Sequence, residues 1–411
     1  MPGPLAHVRV LDLSRVLAGP WAGQNLADLG AEVIKVERPG VGDDSRAFGP
    51  PWVNDREGRP TKDSAYFTAA NRGKKSITVN IAVAGGQALI RSLAGKCDVL
   101  IENYKHGDLA RYGLGYEDLR ALNPRLIYCS VTGFGQTGPY RERPGYDFMI
   151  QGMGGMMSIT GEPDGVPGGG PQRAGVPIAD IITGMYASVA ICAALANRDV
   201  QDPGQGKGQH LDLALLDSQI ALLAYQNTNY FSTGIPPERI GNLHPNIVPY
   251  QPFRASDGEV IVACGNDNLF RKFCDAAGCP ELVQDPRFAS NGKRVENRAE
   301  ITQLIQEIFR KKTTAEWLAL LEAAGVPNGP INDIAQVFEE LQVKARGVKI
   351  ELEHAAAGKL PLVASPMRFS ATPLAYRLPP PLLGEHTDQI LKEFLKLGDT
   401  EIARLRADGI V

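Results

Sequence analysis

Two stretches of this chain carry residue types whose spacing could do chemistry. In the first, residues 173–198 read RAGVPIADIITGMYASVAICAALANR, with Asp180 between an apolar run and a long helical pattern. Ile181, Ile182, Met185, Val189, Cys192, Ala193 and Leu195 recur mostly at spacings of three and four, and the intervening residues are mostly small and apolar. That pattern predicts a helix buried nearly all round. An aspartate at its start is expected at the N-cap, its carboxylate accepting backbone N–H bonds in the positive field of the helix dipole and staying ionised there. An ionised carboxylate is what a covalent nucleophile requires, and an ordinary structural cap looks the same, so the local pattern leaves both readings open. The second stretch is Asn71-Arg72-Gly73-Lys74-Lys75-Ser76, three cations in a short turn ahead of a strand pattern over 77–81. Charge and backbone N–H groups there could grip phosphates; the plain alternative is a solvated basic turn.

The elements that position these residues follow from periodicity. Residues 8–13 read as a strand, about 20–29 as a helix with proline in its first turn and Gly30 past its end, and 31–37 as a second strand. Strand–helix–strand within so few residues implies a parallel sheet with a right-handed crossover. Ligands in such sheets bind beyond the carboxyl ends of the strands, here residues 14–20 and 38–45. Ala18-Gly19-Pro20 is not a GxGxxG turn, which argues against a dinucleotide-binding dehydrogenase. Further strands are expected over 97–103 and 126–132, the latter running into the glycine-rich residues 133–139. The alternation up to about residue 200 predicts a doubly wound α/β domain. A Gly/Pro-rich connection covers 163–171, the pattern breaks into loop over 233–252, and a strand at 260–264 followed by helices to about 325 reads as a smaller second domain. Leu378-Pro379-Pro380-Pro381 is a stiff spacer, and the chain closes with a helix near 389–396.

Composition narrows the function class. The 411 residues are 43% hydrophobic and 22% charged, with a formal charge of −3. These are ordinary globular values, long enough for two or three domains and without the basic footprint of a nucleic-acid binder. The six cysteines show no metal-ligand spacing, so no metal is expected and most should be small buried hydrophobes in a reducing compartment. No apolar run is expected to reach membrane-spanning length. A strand pattern begins within a few residues of Met1, so no signal peptide is expected. A soluble, cytoplasmic protein is the expectation.

Several stretches together resemble the class III CoA-transferase family, which includes formyl-CoA transferase, carnitine CoA-transferases and α-methylacyl-CoA racemase. They are VLDLSRVLAGPWAGQNLADLGAEVIKVERPGVGD, YFTAANRGKKSI, DVLIENYKHGDLARYGLGYEDLRALNPRLIYCSVTGFGQTGP, PGYD, GQGKGQHLDLALLDS, GNLHPNIVPYQPF, DGEVIVACGND and GEHTDQIL, in that order and over nearly the whole chain. The resemblance implies a large Rossmann-like domain built from both chain ends (1–212 and 361–411), a small α+β domain at 237–328, linkers at 213–236 and 329–360, and two subunits interlocked as a homodimer. It implies Asp180 as the nucleophile, passing through an aspartyl anhydride and an aspartyl-CoA thioester, with Tyr146, Asp147 and Gln151 at the active site. CoA-binding positions carry over onto Val16, Ala18, Arg38, Arg72, Lys75, Asn103, Tyr104 and Arg111. Coenzyme A is then a substrate, delivered as an acyl-CoA to a free carboxylic acid, with no tightly bound cofactor. The segment IGNLHPNIVPYQPF looks like enzymes handling short dicarboxylic acyl groups such as succinyl-CoA.

Two departures from the family pattern bear on the reaction. Leu17 replaces the glutamine that neighbours adenine in formyl-CoA transferase, and the mobile tetraglycine loop of that enzyme has no counterpart in NIVPYQPFRASDGE. The alternative within the superfamily is a racemase-like acid/base enzyme, which uses a histidine of a GHD motif. This chain has Gly145-Tyr146-Asp147 there, and a phenol of ordinary pKa near 10 suits reversible proton exchange poorly. A non-catalytic CoA-binding protein is the third reading.

Overall fold

The computed structural model describes residues 3–201 and 204–411. It divides into two compact units, the larger gathering Met1–Met156, Ala174–Thr233 and Lys344–Val411, the smaller Met157–Arg173 and Gly234–Val343. The larger unit is built on a six-stranded parallel sheet in the spatial order Lys74–Thr78, Glu32–Glu37, Arg9–Asp12, Val99–Glu102, Ile127–Thr132, His210–Ala214. Side chains alternate between two apolar layers, as the two-residue period of a strand demands. Leu11, Ile34, Leu100 and Tyr128 face one layer, while Val10, Val33, Val99 and Ile101 face the other. The order reverses between Arg9–Asp12 and Val99–Glu102, and the crevice beyond their carboxyl ends is where such sheets bind ligands.

The last segment of the chain returns to this sheet. The His386 N–H donates to Ser76 O at 2.8 Å and the Thr78 N–H to Thr387 Oγ1 at 3.1 Å. Ile390, Leu391 and Phe394 of the helix Thr387–Leu395 enter the same apolar layer as Leu11. GEHTDQIL therefore works as a structural return.

The long helix runs Ile178–Gln201 and differs from expectation in three ways. First, over Ile178–Val200 its mean hydropathy of 1.8 makes it the one described helix long and apolar enough to cross a membrane. By length and composition the chain does hold such a segment, contrary to the sequence reading. Second, it is buried on one side only: Ala187, Ile191 and Leu195 lie inside, whereas Tyr186 is 44% and Val189 62% exposed. Uniformly apolar spacing hides which face packs, and this helix packs against the first helix, Ala18–Asp28, and the edge of the sheet. A Cβ on Gly184 would stand 2.6 Å from Ala18 O, so only glycine permits that approach. Third, Asp180 is the third helical residue rather than the cap.

The smaller unit carries a three-stranded antiparallel sheet, Asn328–Pro330, Glu259–Ala263, Tyr250–Arg254, covered by helices. Phe253, Phe273, Phe309 and Trp317 stack in its core, and Trp317 Nε1–H donates to Phe309 O at 2.8 Å. Both expected linkers contain regular structure. Helices Leu215–Leu222 and Tyr225–Thr233 occupy most of 213–236. The region 329–360 holds helices Ile334–Glu339 and Leu341–Ala345 and leads into the hairpin Lys349–His354/Gly358–Val363. Residues 157–173, assigned from sequence to the large domain, cluster with the smaller unit. Short amphipathic turns between prolines and glycines carry too little periodic signal to be separated from loop.

Candidate active site

A cavity of about 220 Å³ opens in the larger unit at the reversal of strand order. Its wall includes Arg15 to Ala18, Asn103 to His106, Val131 to Gly133, Gly145, Tyr146 and the carboxylate-bearing Asp180. Two glycines make this wall. A Cβ on Gly133 would stand 2.5 Å from Gly145 Cα, and one on Gly145 would stand 2.4 Å from Gly133 Cα, so the two backbones can touch only without side chains. That contact brings the segment carrying Tyr146 and Asp147 onto the end of the strand Ile127–Thr132.

Asp180 has an unusual environment for a carboxylate in the first turn of a helix. The cap is supplied from another element: Asp147 Oδ1 accepts the Ala179 N–H at 2.8 Å and the Asp180 N–H at 3.4 Å. Asp147 is itself held by Gln151, whose Nε2 donates to Asp147 Oδ2 at 2.7 Å while its Oε1 accepts the Ala174 N–H at 2.9 Å. Burial, and then the neighbouring Asp147 carboxylate, push the Asp180 carboxyl up to about 7. The sequence reading had the helix field keeping Asp180 ionised. Desolvation and a like charge oppose that field, and the backbone N–H groups are taken by Asp147 instead.

The residues flagged from sequence separate into two groups. Val16, Ala18, Asn103, Tyr104, Tyr146 and Asp180 share the cavity wall. Gln151 is fully buried and Asp147 nearly so; both stand behind the wall and act on it through the hydrogen bonds above. The expected basic turn is only partly a turn: Lys74, Lys75 and Ser76 already belong to the edge strand Lys74–Thr78, three residues earlier than expected, and the cations point to internal partners. Arg72 is buried and donates from Nε and Nη2 to the two Asp28 oxygens at 2.9 and 2.5 Å, with Tyr376 under its guanidinium. Lys74 Nζ is fully buried among Asp12 Oδ2, Asn71 Oδ1 and Pro20 O. Lys75 Nζ pairs with Glu32 at 2.7 Å. Neither Arg72 nor Lys75 lies on the cavity wall; each is engaged in an internal ion pair. Arg111 pairs with Asp108, and Arg38 is exposed; neither lines the cavity.

The cations that do line it are Arg15, Lys105, Arg141 and Arg143, with His106. Arg143 lies over the rings of Phe134 and Tyr140 at 5.3 and 4.4 Å. None of these was singled out from sequence, because a surface arginine in RERPGYD carries no periodic or spacing signal. Tyr66 was also missed. Burial, together with the charges of Asp180, Asp147 and Asp43, pushes its phenol up to about 12, although Tyr66 does not line the cavity. Its signal lay within the quoted stretch YFTAANRGKKSI, one position from the buried Phe67.

Comparison with known proteins agrees with this architecture. A family model described as CoA-transferase family III matches residues 5–387. The chain is 50% identical over 390 residues to a succinate–glutarate CoA-transferase of Agrobacterium fabrum, covering 95% of each. It is 45% identical over 408 residues to the human succinyl-CoA:glutarate CoA-transferase, covering 99% of this chain and 90% of that one. The crystal structure of a CAIB/BAIF family protein from Brucella suis superposes with a TM-score of 0.82 at 50% identity, covering 96% of this chain and all of the other. The match extends through the strands, the cavity wall and the Asp180 helix alike, and the chain belongs to CoA-transferase family III.

Proposed function

We propose that this enzyme moves CoA from succinyl-CoA to glutarate or a similar short dicarboxylate, with Asp180 as the covalent nucleophile. The observation that carries the reading is that the Asp180 carboxylate shares one cavity wall with the residue 16–18 loop and the Asn103-Tyr104 segment. The substrate pair is supported by relatives named for succinate or succinyl-CoA and glutarate at 45–50% identity over nearly the full chain.

In the proposed sequence, an Asp180 oxygen attacks the thioester carbonyl carbon. The C–S bond breaks and CoA leaves as thiolate, giving an aspartyl–succinyl anhydride. The thiolate then attacks the Asp180 carbonyl carbon, releasing succinate and forming an aspartyl-CoA thioester. Glutarate repeats the two steps in reverse order, so the thiolate ends on the glutaryl carbonyl and Asp180 returns as a carboxylate. Each step exchanges one acyl bond for another, which conserves the thioester's free energy and divides one hard exchange into easier ones. An acid with a carboxyl near 7 is poised for this: a weakly solvated carboxylate near neutral pH is a better nucleophile than one fully hydrated. The Val16 and Ala18 backbone, Asn103 and Tyr104 contact CoA, and Lys105, Arg141 and Arg143 take the phosphate role assigned from sequence to Arg72 and Lys75. Arg38 and Arg111 remain outer contacts for the nucleotide end.

The reading includes a cytoplasmic location and an interlocked homodimer; large apolar side chains left in solvent, Val189 at 62% and Phe231 at 77% exposed, support burial against a second subunit. A stable active monomer in solution scattering would remove that part. The test of the reaction is purified enzyme with succinyl-CoA and glutarate, read for glutaryl-CoA by mass. Donor alone should leave an adduct on the Asp180 peptide that hydroxylamine discharges. Transfer at near wild-type rate by Asp180→Asn, verified free of deamidation, would refute the mechanism. Deuterium entering a chiral 2-methylacyl-CoA would favour the racemase reading; Tyr146 in place of the GHD histidine speaks against it. A protein that bound CoA but exchanged no label between free carboxylate and thioester would be the non-catalytic binder.

A further inference from the structure

Val16 has φ = 68°, the left-handed region, and is the one β-branched residue among the three non-glycine residues with positive φ in the described chain. A valine there is strained, and the strain persists only where surroundings over-determine it. Here they do. Asp12 Oδ1 accepts the Ser14 N–H at 3.0 Å. Asn103 Oδ1 accepts the Arg15 N–H at 2.9 Å while its Nδ2 donates to Arg15 O at 2.7 Å. Asp43 Oδ1 accepts the Val16 N–H at 3.0 Å.

Asp43 is held as firmly as it holds. It is 1% exposed and Lys35 fully buried. Lys35 Nζ donates to Asp43 Oδ2 at 2.7 Å and to Ser14 O at 3.0 Å, so one ammonium braces both the clamp and the loop. Asp43 Oδ1 also accepts the Ser45 N–H and hydroxyl at 2.9 and 2.7 Å, and the Asp43 N–H donates to Glu37 Oε2 at 2.9 Å. A buried charge pair of this kind is a poor way to gain stability, since an apolar replacement often does as well. A geometric role accounts for it better.

We propose that Asp43, braced by Lys35, is a positioning residue for CoA binding: it holds Val16 in its left-handed conformation and thereby sets the cavity wall formed by residues 15–18. This rests on the proposed reading of that wall as the CoA site. Val16 and Asp43 are 27 positions apart, and neither Asp43 nor Lys35 lines the cavity.

The test uses Asp43→Ala combined with Lys35→Met, which removes the acceptor without stranding a buried charge, and the same pair with Val16→Gly added. Glycine takes a left-handed φ without the side-chain strain, so it should lessen the need for the clamp. In the double variant, exchange of the Val16 amide without ligand should speed up. The KM for succinyl-CoA should rise about tenfold with kcat within about threefold, the pattern of lost uniform binding. Adding Val16→Gly should recover at least about threefold of that KM. A merely structural pair would lower the thermal midpoint without this rescue. The proposal is overturned by unchanged Val16 exchange, by faster exchange with unchanged KM, or by a KM rise that Val16→Gly leaves intact. A wild-type protein that binds no CoA overturns the proposed function along with it. The three earlier outcomes in an active enzyme overturn only the clamp.

Discussion

Replacing Asp180 by Asn should make the protein more stable, increasingly so as the pH rises, while abolishing transfer. The carboxyl is raised from 3.8 to about 7 by burial and by Asp147. For an acid whose folded pKa lies above its unfolded one, ionisation penalises the folded state. The penalty is absent well below pH 3.8, grows between the two values and is constant above pH 7. Linkage puts the cost at about 2 kcal/mol at pH 5 and about 4 kcal/mol above pH 8. These are ceilings, because Asp180 borders a cavity that admits water. Asparagine has no charge to desolvate, so the variant should gain up to about these amounts, or several degrees in thermal midpoint by the usual size scaling. The measurement is a series of thermal or urea unfolding curves for both proteins from pH 5 to pH 9, alongside the transfer rate. A plain cap would behave otherwise: asparagine caps about as well as aspartate, so stability and rate would hardly move at any pH. A pH-independent difference, or a loss of stability in the variant, would refute the electrostatic reasoning. Such a pattern would mean that Asp180 is not the desolvated acid described above.

Three further outcomes follow from the same geometry. The acid limb of kcat/KM should fall about tenfold per pH unit below about 7, and Asp147→Asn should move it to lower pH by removing the like charge; a limb that stays in place would exclude Asp147 as its cause. Arg72→Ala should act on folding instead of on KM, by about 3–5 kcal/mol as expected when one member of a buried pair is removed and Asp28 is left alone; a well-folded variant with a raised KM for acyl-CoA would restore its phosphate role. Arg38→Ala, at an exposed position, should raise the KM for CoA thioesters with kcat unchanged, and steady-state kinetics showing a collapse of kcat alone would exclude a binding role.

Much of the large unit was legible in the chain. Short runs rich in Val, Ile and Leu over 8–13, 31–37, 97–103 and 126–132 mark buried strands, and the strand–helix–strand opening implies a parallel sheet whose ligands lie past residue 13. The loop carrying Val16 and Ala18 and the segment of Asn103 and Tyr104 do meet at that place, because the strand order reverses there. Short elements such as Leu215–Leu222 and the strand Lys349–His354 fall within the expected linkers, since they repeat too few times for a period to show.

What sequence alone determined here is what local order controls: the strands of the sheet and a long apolar helix with a carboxylate, Asp180, in its first turn. Tertiary structure decided which charges meet each other. Nothing local announces that Arg72 and Lys75 pair with Asp28, 44 positions away, and Glu32, 43 positions away. It also raised the Asp180 carboxyl, first by burying it and then through Asp147, 33 positions earlier, which takes the helix N–H groups and adds a like charge. Periodicity is a property of neighbours along the chain, whereas desolvation and charge pairing depend on distances across space that only the folded backbone creates.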